Sequence, residues 1–229
     1  MRIDWLARVR IRCRKIRRRR SYAGVVQRLE DRALLAAFVV DSTDDAPDAN
    51  LSDGIAADSL GRVTLRAAIQ QANALSGGDT ITLPAGFFSL TQIGPGESAG
   101  TTGDLDILDG VTLTGAGADA TFINGMSQDR VFDVAAGAPV KLSKMTIESG
   151  LTLFSQEDGG GIRNFGTLEL SKVILTSNSA SGGGGAIASF GAGSSLTITD
   201  STFENNSSNG PLGGGAIFNG SQTTITRGV

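Results

Sequence analysis

The sequence predicts an all-β fold: a right-handed parallel β-helix of ~28-residue coils with one short N-terminal capping helix and a disordered basic N-terminal tail. Three observations lead there. Segments 142–150 ("LSKMTIESG"), 170–178 ("LSKVILTSN") and 198–206 ("ITDSTFENN") superpose without a gap, so Leu142, Leu170 and Ile198 lie 28 residues apart, as do Ile147, Leu175 and Phe203. Glycine-led segments interleave with these: Gly160, Gly161, Ile162 and Asn164; Gly184, Gly185, Ile187 and Ser189; and Gly214, Gly215, Ile217 and Asn219. The composition agrees, with 32 Gly against 5 Pro, aromatics at 5%, and a downstream half rich in Leu, Ile, Val and Thr, which suits short stacked strands.

The chain divides into a tail at 1–36, a capping module at 37–103 and coils at 104–229. Residues 1–32 hold 12 Lys+Arg against 3 Asp+Glu, whereas residues 33–229 hold 8 against 20, so the overall charge of −3 conceals a basic tail on an acidic body. Positive charge followed by the short apolar run Ala33–Val40 has the order of an export signal, and the run is far shorter than the ~20 residues of a membrane span. A nucleic-acid arm is the competing reading. No basic patch continues into the body and no aromatics interleave with the charge, so nucleic acid is not an expected partner. The stretch "VVQRLEDRALLA" (25–36) resembles an N-terminal motif of large exported proteins of some bacteria, through Leu29, Glu30, Arg32, Leu34 and Leu35.

In the capping module "AAFVVDST" reads as a strand, and "DDAPDANLSDG" as an acidic, turn-rich, solvated loop lacking the EF-hand ligand spacing. A helix is expected over 63–76: Leu65, Ile69 and Ala72 form one stripe, Thr64 is a candidate N-cap, and Ser76, Gly77 and Gly78 supply a stop. "DTITLPAGFFSLT" then reads as a strand pair around Pro84, Ala85 and Gly86. This portion resembles the module named for its Cys-Ser-Leu-Arg-Glu-Ala motif, which precedes bacterial surface β-helix domains. Leu65, Arg66, Ala68, Ile69, Ala72 and Asn73 keep that pattern, while Val63, Thr64 and Ala67 depart from it. A helix laid across the open end of a stacked sheet covers apolar core and unpaired backbone.

"TGAGADATFING" carries a strand followed by Gly115, Gly117 and Ala120, the outline of a dinucleotide fingerprint. That motif needs a helix to open at its third position and receive the pyrophosphate. Here the chain continues with the β-branched "TFING", so these glycines are expected in turns and no cofactor is expected.

Within the coils, aligned Leu, Ile and Phe are expected to pile into interior columns, and Asn178 and Asn206 to stack as an amide ladder at a turn, where Asn tolerates left-handed backbone. Glycines let the chain reverse at positive φ and let neighbouring coils approach. "GGAI" at 184–187 and 214–217, with "FENN" at 203–206, resemble the Gly-Gly-Ala-Ile and Phe-x-x-Asn motifs of polymorphic outer-membrane protein repeats. That resemblance implies a pectin-lyase-like β-helix, surface display, an adhesive role and non-catalytic repeats.

The chemistry available is narrow. With no histidine and a single cysteine, Cys13, the sequence excludes histidine-based general-base catalysis, His-ligated zinc and an intrachain disulfide. Carbohydrate-active β-helices use converging carboxylates with Lys or Arg, and the candidates are few. Asp104 and Asp106 lie two apart on one strand; Glu148 and Glu204 read as one column apart; Arg130 and Arg163 have no evident carboxylate partner; and Lys144, Lys172 and Asp200 share an outer column. No catalytic, cofactor or metal residues are assigned. The function expected is an exported or cell-surface structural and adhesive scaffold, with a polysaccharide lyase or hydrolase as the alternative. Expected partners are surface glycans or other surface proteins. The last coil ends at Val229 without a cap, so the chain is expected to be either a truncated product or a piece of a longer array.

Overall fold

The computed structural model describes residues 35–94, 98–152 and 154–226, so the expected disordered tail lies almost wholly outside the described residues. In order, the elements are β1 (Ala37–Val39), α1 (Leu65–Ala74), β2 (Asp79–Thr82), β3 (Gly86–Ser89), β4 (Leu105–Ile107), β5 (Val111–Thr114), β6 (Thr121–Asn124), β7 (Phe132–Val134), β8 (Pro139–Glu148) and β9 (Ile162–Asn164). There follow β10 (Thr167–Thr176), β11 (Ser179–Ala180), β12 (Ile187–Ser189), β13 (Ser195–Thr199), β14 (Thr202–Glu204), β15 (Ser207–Ser208), β16 (Ile217–Asn219) and β17 (Gln222–Thr226). Strands pair in parallel with the equivalent strands of neighbouring coils, and the fold is a parallel β-solenoid.

Three faces make up each coil. One runs β1-β2-β5-β8-β10-β13-β17, and a second runs β4-β7-β9-β12-β16. The third joins β3 to β6 and then to the C-terminal halves of β8 and β10, ending on β14. Where three separate strands were expected, β8 and β10 each serve two faces by bending at Lys144 and Lys172, whose φ angles are 57° and 56°. Asp200 occupies the same corner one coil later with φ 47°. The outer Lys144, Lys172, Asp200 column is therefore a left-handed corner, held by L-residues because flanking strands pair on both sides.

Like residues stack over like. Ile81, Leu113, Leu142, Leu170 and Ile198 form one interior column. Phe88, Ile123, Ile147, Leu175 and Phe203 form a second, and Leu105, Phe132, Ile162, Ile187 and Ile217 a third. Apart from Phe203 and Ile217, which are part-buried against the core near the C-terminal end, these side chains are buried. Each contributes about 1.5–3 kcal/mol of apolar transfer, offset by the entropy of ordering the chain. The stretch after Gly115 is β6, which confirms the strand reading of that segment against a nucleotide-binding helix. Glu148, Thr176 and Glu204 share a single column, correcting the offset read from the sequence.

The helix is shorter than the 63–76 expected. It starts after Thr64, whose Oγ1 accepts the Ala67 amide at 3.0 Å, and its C-cap is Leu75. It is also buried on more than the one stripe expected, since Arg66, Ala67, Ala68, Gln70 and Gln71 are covered as well. The extra burial comes from the loops at 41–53 and 98–104, which close over its outer side. Asp45 of the first loop is accordingly only 7% exposed, not solvated as the sequence suggested.

Candidate functional site: turn ladders and a buried carboxylate cluster

The repeat residues singled out in the sequence fall into two ladders. In the first, Asn178 Oδ1 accepts the Gly150 amide at 2.9 Å and Nδ2 donates to the Ile147 carbonyl at 3.1 Å. Asn206 repeats the pattern one coil on: its Oδ1 accepts the Asn178 amide at 3.0 Å, and its Nδ2 donates to the Leu175 carbonyl at 2.9 Å. The left-handed residue of this turn is the one before Gly150, Asn178 and Asn206, namely Ser149, Ser177 and Asn205 at φ 54°, 56° and 53°. The amides thus satisfy the turn from the adjoining position instead of making it.

The second ladder starts from Asn164, whose Nδ2 donates to Ser189 Oγ at 2.8 Å, while its Oδ1 accepts the Gly166 amide at 3.0 Å. Ser189 is in hydrogen-bond contact with Ser221 at 2.9 Å, and Asn219 stands in register above Ser189 on β16. Two separate glycine columns precede these strands. Gly159, Gly184 and Gly214 carry the positive φ, at 70°, 67° and 73°. Gly160, Gly185 and Gly215 follow them; a Cβ on Gly160 would meet the Gly185 carbonyl oxygen at 2.7 Å, and Gly161 is similarly close to the Ala186 carbonyl at 2.6 Å. The sequence reading named Gly160 and Gly161 but passed over Gly159. Every one of these groups is consumed in building the coil.

The charged residues come together elsewhere. Asp106 on β4, Asp133 on β7 and Arg163 on β9 stand in one column of three adjacent coils. Arg163 Nε donates to Asp133 Oδ1 at 3.0 Å, Nη2 pairs with Oδ2, and the guanidinium lies 5.5 Å from the Phe165 ring centroid. Arg130 Nε lies 3.1 Å from Asp104 Oδ2 and 3.9 Å from Asp129 Oδ1, and Nη2 lies 3.6 Å from Glu157 Oε1. Both arginines therefore have carboxylate partners, contrary to the sequence reading. Asp104, Asp106 and Asp133 each bring an oxygen within 4.8 Å of the other two.

This cluster is covered. Asp104 and Asp106 are 5% and 3% exposed, because the 98–104 loop folds over them and the Gly100 amide donates to Asp106 Oδ2 at 2.8 Å. Arg66 fastens that loop. Its guanidinium pairs with Asp45 at 2.7 Å and donates to the Gly100, Gly103 and Asp104 carbonyls at 2.9, 2.8 and 3.2 Å. Burial pushes the Asp104 carboxyl up to about 8, the charge of Asp129 adds to the shift, and Arg130 opposes it. Asp129 is also raised by burial, against its hydrogen bond from the Arg130 amide. Burial disfavours the charge on Arg163, but the Asp133 pair outweighs it and holds the guanidinium above its ordinary value.

Sequence reasoning paired Asp104 with Asp106 and left Asp129, Arg130, Asp133, Glu157 and Arg163 apart. The signal that joins three of these residues is the coil step, since Asp106, Asp133 and Arg163 recur at the spacing of their strands.

Residues 172–189 and 200–220 match the Chlamydia polymorphic membrane protein repeat, a small share of the 229-residue chain. Each matched stretch begins at a left-handed corner, Lys172 or Asp200, and runs through the asparagine turn and the glycines to β12 or β16. The chain is similar to that repeat over these two coils, and the charged cluster lies outside the matched residues. No curated protein and no solved structure gave a match. Among the described residues, no helix is long and apolar enough to cross a membrane.

Proposed function

We propose that this chain is an exported, surface-displayed β-helix that acts as a structural and adhesive scaffold, with repeats that bind through their outer faces and carry no catalysis. The repeat match at 172–189 and 200–220 carries this reading, because it covers the residues that build and stack two successive coils. The arginine-rich start followed by a short apolar run supports export. The glycines and asparagines support a scaffold role, since their hydrogen bonds and close contacts are spent within the coil.

A polysaccharide-cleaving enzyme would need its carboxylates in an open groove that a sugar chain can enter. Asp104 and Asp106 instead sit beneath a loop, which favours a structural use of the cluster. Surface proteolysis of intact cells tests the proposal. The chain should be degraded by added protease while cytosolic markers survive, and its purified form should bind cell-surface glycans or proteins without releasing cleaved sugars. A protease-resistant cytosolic chain would overturn the localisation, and turnover of an acidic polysaccharide would overturn the scaffold reading.

A further inference from the structure

The third face of the solenoid begins at β3, and among the described residues β6 is the only strand paired with it. Residues 43–46 pack beside β3, close enough that a Cβ on Gly86 would sit 3.0 Å from the Thr43 methyl. Between this loop and the strand is a cavity of about 450 Å³, within the size range of small-molecule sites. Its lining includes Thr43, Asp44, Phe87, Ser89, Thr91 and Gln92.

The cavity joins one flat apolar wall to polar groups that the fold does not use. Phe87 is 63% exposed and stacks on Phe122 of the next coil, with ring centroids 4.5 Å apart and planes 8° from parallel. The stack fixes the orientation of the ring and covers one of its sides, while the ring still borders the cavity. Among the described residues nothing hydrogen-bonds to the Thr43, Ser89 or Thr91 hydroxyls or to the Gln92 carboxamide. Hydroxyls on the neighbouring strands are engaged: Thr121 donates to the Pro84 carbonyl and Thr146 to that of Ala118. The two carboxylates at the cavity are paired, Asp44 with Arg62 and Asp45 with Arg66, and no lysine or arginine lines it.

We propose that this cavity binds a sugar unit of an uncharged glycan, with Phe87 as the stacking platform and Ser89, Thr91 and Gln92 as hydrogen-bonding partners of its hydroxyls. A pyranose ring has an apolar C–H face and a rim of hydroxyls, which suits an aromatic wall flanked by neutral donors and acceptors. An acidic sugar would find no cation here and would bring its carboxylate towards Asp44. A wholly apolar ligand would strip water from the polar rim and leave it unpaired. The site lies on the capping module, outside the matched repeats. It gives the scaffold reading a ligand class and rests on that reading.

The test is calorimetric titration of the full chain with cellohexaose, mannohexaose and chitohexaose, and with hexagalacturonate as the acidic comparator. At least one neutral hexasaccharide should bind about tenfold or more tightly than hexagalacturonate, with no change between about 0.05 and 0.5 M sodium chloride. Phe87→Ala should weaken that binding about tenfold or more, and Phe87→Tyr, which keeps the flat ring, should preserve it. Gln92→Ala should weaken it about two- to tenfold. Leu212→Ala, at an exposed apolar residue of the last coil, should bind as the wild type does. No neutral hexasaccharide bound, a preference for the acidic one, or loss of binding with salt overturns the site. Neutral-glycan binding that survives Phe87→Ala removes this site and leaves the scaffold reading standing. A protease-resistant chain in intact cells strikes that reading instead and leaves Phe87-dependent binding untouched.

Discussion

Asn178 donates from Nδ2 to the Oδ1 of Asn206, 28 residues later, at 3.0 Å, and both amides also serve the backbone of the preceding coil. Each side chain thus closes the turn of the layer before its own, and the bond between the two amides ties successive layers together.

Removing the inner member should cost more than removing the outer one. Asn178 is fully buried, and Asn178→Ala leaves the Gly150 amide and the Ile147 carbonyl without their partner, about 1–3 kcal/mol each before relaxation. We expect a total loss of about 2–4 kcal/mol for Asn178→Ala and a smaller loss for the more exposed Asn206→Ala. Urea unfolding of both variants measures the difference; equal midpoints would contradict the ladder.

The two glycine roles should separate on substitution by alanine. Gly185 does not have a positive φ, but an added Cβ would run into the carbonyl oxygens of Ser207 and Gly215, which are backbone and cannot swing away. Gly193 has φ 86° with open space around it, so alanine there meets only the left-handed backbone penalty of about 1–2 kcal/mol. Gly185→Ala should therefore give little soluble folded protein, whereas Gly193→Ala should fold with a modestly lowered thermal midpoint.

Arg66 holds the capping loop through Asp45 and three carbonyls. Arg66→Met removes the cation while Asp45 stays buried, which costs about 3–5 kcal/mol when one partner of a buried pair is lost. Amide hydrogen exchange should rise first in residues 98–104, with the coils at 167–199 unaffected. Uniform acceleration along the chain would show that Arg66 acts on the whole solenoid instead.

Acid should loosen the cap through Asp58. Burial alone would raise this carboxyl, but hydrogen bonds from the Arg62 side chain and the Arg62 and Leu60 amides hold it below its ordinary value of 3.8. A carboxylate lower in the folded than in the unfolded state adds stability that is fully present above the unfolded value and is lost as pH falls through the folded one. Stability should therefore decline below about pH 4, and Asp58→Asn should flatten that decline. An unchanged acid limb in the variant would remove Asp58 from the account.

The coil repeat was legible because each layer solves the same packing problem with the same residue types. Leu142, Leu170 and Ile198 needed only their spacing to be placed in one column, and Thr64 only its chemistry to be read as an N-cap. Turn geometry was legible to within one residue: Ser177 and Gly159 take the positive φ, while the more conspicuous Asn178 and Gly160 stand beside them. A neighbour in sequence can supply the hydrogen bond or the space as readily as the bent residue itself, so composition marks the turn without marking its pivot.

The sequence by itself determined the class of fold, the step of its coils and the apolar columns, since these follow from periodic burial that recurs along the chain. Tertiary structure alone decided the charge partners. Arg66 meets Asp45 and Arg130 meets Asp104 and Glu157 because loops bring those side chains together, while Arg163 meets Asp133 across the register of two neighbouring strands. Electrostatic pairing depends on distance in space and on exclusion of water, and neither is written in the local order of residues.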